Sequence, residues 1–207
     1  PNLVQTLEHN PVLMHGGPFA NIAHGCNSIL ATNTALSYAD YVITEAGFGS
    51  DMGAMKFFDI KSRMNNLYPD MVVLGVTIRA LKHHGKTLKE GFENLKFHIE
   101  NMQFFTKNLI VVLNRFETDT EEEIKELEQL VRLKEVPFFI STAYTDGGKG
   151  ALSIADYILN FKGEKEIHTM YDLNDPVKEK IEKVCKNHYH AKEVFYEKEA
   201  LAMLEKI

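Results

Sequence analysis

The sequence predicts an α/β fold, an open and mostly parallel sheet with helices on both faces. Three observations predict it. Apolar runs of strand length (Tyr41 to Thr44, Met71 to Ile78, Asn108 to Leu113, Pro137 to Thr142) alternate with segments of helical period. Most of these runs are apolar throughout, as strands buried on both faces are. Two of them end in glycine-rich turns that open helices, Glu45 to Gly53 and Ala143 to Gly150.

The elements follow in order. Pro1 to Met14 has no clear period and reads as a connection ending in Val12-Leu13-Met14. Gly16-Gly17-Pro18 opens a helix, because proline suits the first helical position. Phe19, Ile22, Ala23, Cys26, Ile29 and Leu30 then recur at helical spacing to about Tyr38. Free amides at that start are suited to a phosphate or carboxylate. Tyr41 to Thr44 reads as a buried strand feeding Glu45-Ala46-Gly47-Phe48-Gly49-Ser50-Asp51-Met52-Gly53. Gly47 and Gly49 permit a sharp turn and close approach to a ligand. Phe48 between them is a large ring on a loop, and Asp51 is placed to cap the next helix. Ala54 to Met64 is that helix, with Phe57, Phe58 and Ile60 inside and Lys56, Lys61 and Arg63 on a solvated face.

Met71 to Ile78 reads as a central strand, Arg79 to His83 as a short segment and Leu88 to Phe105 as a helix burying Leu95, Ile99 and Met102. Asn108 to Leu113 is another buried strand, with Asn114-Arg115-Phe116 at its carboxyl end. Thr118-Asp119-Thr120 followed by Glu121-Glu122-Glu123 is a helix start, a capping residue and then acids at the positive end of the dipole. That helix runs to about Lys134. Pro137 to Thr142 is the next strand, and Ala151 to Leu159 a helix. Tyr171 to His188 and Lys198 to Ile207 read as the last two. Residues 1–165 form the α/β domain that carries the loops, and 166–207 a mainly helical extension of the same unit.

Parallel strands joined by right-handed crossovers put their carboxyl ends on one edge. The loops at Phe48, at Asn114 to Phe116 and at Tyr144 then share one rim. Three rings converging on one crevice suit a flat heterocycle held by stacking.

Bulk properties narrow the function. The 207 residues are 44% hydrophobic and 25% charged, with a net charge of −6. That is ordinary globular composition, and it argues against a general nucleic-acid or anionic-membrane surface. No apolar run reaches the ~20 residues of a membrane helix, and Pro1 to Asn10 lacks a signal-peptide pattern. Cys26 and Cys185 make no disulfide framework and fit a reducing, cytoplasmic setting. Gly85-Lys86-Thr87 resembles the end of a P-loop, but the required earlier glycine is Ala80. His15, His24, His83 and His84 lack ligand spacing, so no metal site is expected. Glu45 and Asp51 suit magnesium only through water.

His15 to Ser28 (HGGPFANIAHGCNS), Ala39 to Lys61 (ADYVITEAGFGSDMGAMKFFDIK) and Val112 to Thr120 (VLNRFETDT) closely resemble formate–tetrahydrofolate ligase. The resemblance spans most of the chain and is strongest from Leu13 to Lys61. It implies a P-loop NTPase-like or Rossmann-like three-layer fold, incomplete relative to the family. It also implies ATP-dependent joining of formate to tetrahydrofolate through formyl phosphate, with ATP and Mg as the family's other requirements. Carried onto this sequence, the folate ring is sandwiched by Phe116 and by Tyr144, where the family usually has tryptophan. Phe48 lines the same pocket and Ile140 supplies an apolar position beneath it. Gly47 and Gly49 lie beside the phosphates and formyl phosphate, and Asn114 lies on the nucleotide side.

The departures carry expectations of their own. The family's P-loop, and the lysine and arginine that hold formyl phosphate, lie upstream of the matching region. The family's C-terminal part is also missing, and the Gly85 to Leu88 loop looks shortened. Asp146 and Lys149 stand at positions that usually differ. The chain alone is therefore expected not to turn over ATP, and to associate as a homo-oligomer or with a complementary N-terminal fragment. The alternative is a truncated, non-catalytic module that binds a pterin or a partner. A dehydrogenase is disfavoured, because no G-x-G-x-x-G stands at an early strand-to-helix turn.

Overall fold

A computed structural model describes residues 1–14 and 26–207. The histidines His15 and His24 and the helix opening at Gly16 to Pro18 lie outside the described residues. The chain divides into two compact units, one formed by 1–68 with 169–207 and the other by 69–168.

The second unit is α/β, with a three-stranded parallel sheet and helices on both sides. Its order is β3 (Val72–Val76), β4 (Leu109–Asn114), β5 (Phe138–Ser141). Val72 to Val76 register with Leu109 to Leu113, and Val111 to Asn114 with Phe138 to Ser141. The central strand is β4, whose Leu109 to Leu113 are all buried. The expectation of a central strand at Met71 to Ile78 is corrected. Among the described residues β3 pairs on one side only, its burial alternates, and Val73 is 50% exposed.

Helix α5 (Leu88–Phe105) falls on the expected residues and buries Leu95, Ile99 and Met102. It follows α4 (Ile78–His84), capped by Thr77. Helix α6 (Glu121–Arg132) starts at a full capping box. The Thr120 hydroxyl accepts from the Glu123 amide at 3.3 Å, and the Glu123 carboxylate accepts from the Thr120 amide at 3.1 Å. Thr120→Ala is expected to cost about 1 kcal/mol, the usual loss of a hydroxyl cap, read as a lowered urea midpoint. The glycine-rich stretch after β5 is helical rather than an open loop. It forms α7 (Ala143–Asp146) and a 3₁₀ turn (Gly147–Ala151) before α8 (Leu152–Asn160).

The first unit departs more from the sequence reading. Pro1 to Met14 forms an antiparallel hairpin, β1 (Asn2–Gln5) with β2 (Pro11–Met14), instead of a structureless connection. Helix α1 (Ile29–Leu36) begins after Ser28, whose hydroxyl accepts from the Ala31 amide at 3.1 Å. Cys26 is therefore extended rather than helical, bridged to Ala46. Tyr41 to Thr44 forms no strand, and Ile43 is 95% exposed. An apolar run becomes a strand only where another strand accepts its backbone bonds.

The helix after the glycine turn is α2 (Gly53–Lys56), a π-helical turn (Phe57–Ser62) and α3 (Arg63–Asn65) in succession. A π turn closes i→i+5 bonds, so positions beyond it rotate out of α register. Lys61 is thereby buried, only 4% exposed, where a solvated face was expected. The C-terminal segment gives α9 (Val177–Lys183), running into a π turn (Val184–His188), and α10 (Lys198–Leu204). Tyr171 to Pro176 is not helical.

Candidate functional site

In the second unit the parallel register brings three strand ends to one edge. Beyond Val76 comes Arg79, beyond Asn114 comes Phe116, and beyond Ser141 comes Tyr144. Phe116 and Tyr144 meet with ring centroids 6.3 Å apart and planes tilted by 42°. Tyr144 is 82% exposed. A flat heterocycle between parallel rings needs about 7 Å, two contact spacings of ~3.5 Å. The 6.3 Å separation is a little short of that, and the tilt is that of two rings in contact with each other.

The walls are anchored from the backbone. The Arg115 amide donates to Ser141 O at 3.0 Å, and the Phe116 amide to the Asp119 carboxylate at 2.8 Å. The Thr142 amide donates to Gly150 O at 3.1 Å, closing the turn that carries Tyr144. Ile140 sits half-buried on β5, and Asn114 is exposed at the end of β4. The Arg79 guanidinium carbon lies over the Phe116 ring, 4.7 Å from its centroid. Sequence reasoning missed Arg79. Its position just past a strand end, matching that of Phe116 and Tyr144, was the available signal.

In the first unit, Gly47 to Gly53 forms a tight turn. The Met52 and Gly53 amides both donate to Gly49 O, at 3.1 and 2.9 Å. Phe48 adopts a left-handed backbone, φ 59°, and is 71% exposed. For a phenylalanine this conformation costs about 1–2 kcal/mol, and strain of that kind concentrates at functional loops. Gly53 packs directly on Gly47, so that a Cβ there would collide with Gly47 O and lie 2.8 Å from Gly47 N.

Both ends of the turn are held from inside. On one side the buried Lys61 ammonium donates to Asn27 Oδ1 at 2.6 Å and to Thr32 Oγ1 at 2.8 Å, and sits 4.7 Å from the Phe57 ring centroid. The Asn27 amide in turn donates to Thr44 Oγ1, just ahead of the turn. Burial pulls the Lys61 ammonium below its ordinary pKa, with nearby Cys26 opposing; burial pushes the Cys26 thiol up. On the other side Asp51 does not cap α2, whose N-cap is Met52 without a side-chain bond. Its carbonyl instead accepts from His188 Nε2 at 2.8 Å and from the Tyr189 hydroxyl at 3.0 Å. A carbonyl only accepts, so the His188 proton is on Nε2. No sequence signal marks His188 and Tyr189, because their partner lies 137 and 138 residues away.

The same unit holds a buried carboxylate paired with a half-buried arginine. Asp59 accepts from the Met170 amide at 2.8 Å and from Arg63 at 3.1 Å, and Arg63 also donates to Tyr171 O at 2.6 Å. Burial raises the Asp59 carboxyl above 3.8, against the pull of the Met170 amide and Arg63. A raised folded-state pKa means that the folded chain holds this proton more tightly than the unfolded one. Stability from Asp59 is thus fully present below the unfolded value and is lost as pH rises through the folded one. The wild-type advantage over Asp59→Asn, from urea melts between pH 4 and 7, is expected to shrink as pH rises. A pH-independent difference would contradict it.

Among the described residues no three His, Cys, Asp or Glu side chains cluster to hold a metal ion. No helix of the described residues is long and apolar enough to cross a membrane.

The family model described as formate–tetrahydrofolate ligase matches residues 1–207. A formate–tetrahydrofolate ligase of Campylobacter concisus is 49% identical over 100% of this chain and 40% of the relative. One of Porphyromonas gingivalis is 46% identical with the same coverage. One of Hyphomonas neptunium is 50% identical over 92% of this chain and 37% of its own length. The chain thus spans about 40% of the length of these curated relatives.

Proposed function

Since this chain belongs to the formate–tetrahydrofolate ligase family, we propose that it is the folate-binding portion of an ATP-dependent ligase that joins formate to tetrahydrofolate through formyl phosphate. The observation that carries the reading is the meeting of Phe116 and Tyr144 at 6.3 Å on the carboxyl edge of a parallel sheet. These rings stack the pterin, with Ile140 as apolar floor and Asn114 toward the nucleotide. In the first unit, the strained turn at Gly47, Phe48 and Gly49 carries the part the family resemblance gives it beside formyl phosphate. Main-chain amides beside a phosphoryl oxygen stabilise the charge that develops there. ATP and magnesium belong to the whole enzyme's reaction, and no step is assigned to them here. The open edge of β3 is where we place association with a second copy or a complementary polypeptide. We place the protein in the cytoplasm.

Calorimetric titration of tetrahydrofolate into the 207-residue chain and its Phe116→Ala variant tests this reading. Saturable binding that the variant loses supports it; equal binding by both overturns it. Such binding by a chain that never complements ligase activity would favour the non-catalytic pterin-binding alternative.

A further inference from the structure

We propose that Arg79 is the oxyanion anchor of the Phe116–Tyr144 slot, gripping a carboxylate carried by the flat-ring ligand. This rests on the slot reading above. The chain has four arginines. Three are committed to carboxylates, Arg63 to Asp59 at 3.1 Å, Arg115 to Glu121 at 2.7 Å and Arg132 to Glu128 at 2.7 Å. Arg79 has no carboxylate within ion-pairing distance among the described residues and lies over the face of Phe116. A cation–π contact uses none of the guanidinium's N–H hydrogen bonds, so its donor fork is left for an oxyanion, which it can take through two parallel bonds.

Its surroundings keep that fork available. The neighbouring cations Lys82 and Arg115 are engaged by Glu123 and Glu121. Ile78 and Leu81 are each 1% exposed and fix α4 against the core, while Arg79 between them is exposed. The Thr77 hydroxyl, accepting from the Ala80 amide at 3.0 Å, sets the turn that delivers Arg79 to the strand-end edge. One side chain thus backs the stacking ring and offers a charge beside it. The ligand chemistry that satisfies both is a flat heterocycle bearing a carboxylate-ended tail, and tetrahydrofolate has that form. A free phosphate presents the same oxyanion from a different source, so the experiment separates the two.

Calorimetry compares tetrahydrofolate with 6-methyltetrahydropterin, which keeps the ring and lacks the carboxylates, on wild type and Arg79→Met. The variant is expected to bind tetrahydrofolate about tenfold more weakly and the tail-less pterin within about twofold of wild type. In the ¹⁵N-labelled chain, the Arg79 Nε–H resonance, assigned by its loss in Arg79→Lys, is expected to move on titration with p-aminobenzoyl-glutamate and to stay in place with equal inorganic phosphate. Equal weakening toward both pterins would make Arg79 only a prop for Phe116 and would overturn the proposal. An unchanged affinity for both, or a resonance that follows phosphate alone, would also overturn it. If Phe116→Ala leaves tetrahydrofolate binding intact, the slot reading fails, and the resonance titration decides the anchor by itself.

Discussion

Phe116→Ala is expected to weaken tetrahydrofolate binding by at least about fivefold. The ring is one of two walls of the proposed slot, and Tyr144 lies 6.3 Å away. Loss of a stacking platform costs about 1–3 kcal/mol per ring stacked, with the aromatic-pair preference included. That range converts to roughly five- to 150-fold in affinity. The fold should survive, because Phe116 lies beyond β4 and the strand's Leu109 to Leu113 keep their burial. The bond from its amide to Asp119 uses the backbone and is also kept. Circular dichroism and an unchanged urea midpoint would certify this. The reciprocal change, Tyr144→Trp, enlarges the opposite wall and should tighten binding. A Phe116→Ala chain that binds as tightly as wild type removes the physical basis for a folate slot.

Gly53→Ala is expected to destabilise the first unit by about 3 kcal/mol or more, in the range of strong overpacking. The added methyl would meet Gly47 O and N and, at 2.9 Å, the Ala46 carbonyl carbon. All three obstacles are main chain, so no side chain can swing aside. Either α2 lifts off the turn or the turn opens. Opening the turn would strain the Asn27–Thr44 hydrogen bond and the two hydrogen bonds that the Asp51 carbonyl accepts. Ala54→Ser, one position along, is the control for a mere change of side-chain size. Gly53→Ala with wild-type melting would show that the turn yields easily, and would contradict the tight packing described above.

What the sequence conveyed depended on how local the information was. The α5 boundaries, the α6 cap and the burial of β4 are written within a few residues of each other, in Thr87, in Thr120 with Glu123, and in Leu109 to Leu113. Tyr41 to Thr44 carries the same apolar text as β4, yet hydrophobicity states that burial is favourable and not which strand will pair. Lys61 looked like surface charge because the α period was extended through Phe57 to Ser62, where the backbone takes a π turn. Of the proposed site, Phe116 and Tyr144 were legible as residues just past strand ends. Arg79 holds the same strand-end position, but what singles it out, the lack of an acidic neighbour among the described residues, is a property of three-dimensional surroundings. His188 and Tyr189 act on Asp51 across most of the chain, and no short-range pattern encodes that contact.

The division of the chain has a bearing on its biosynthesis. The unit made of residues 69–168 is contiguous, whereas the other needs both 1–68 and 169–207. During translation, domains generally fold as units while the chain emerges at ~5–20 residues per second. The contiguous sheet can therefore be complete while the glycine turn, already outside the ribosome, still waits for the histidine and tyrosine that will pin Asp51. Residues 1–68 emerge before residues 169–207, so the turn settles only when the later segment arrives, and until then its apolar residues lack the core that buries them.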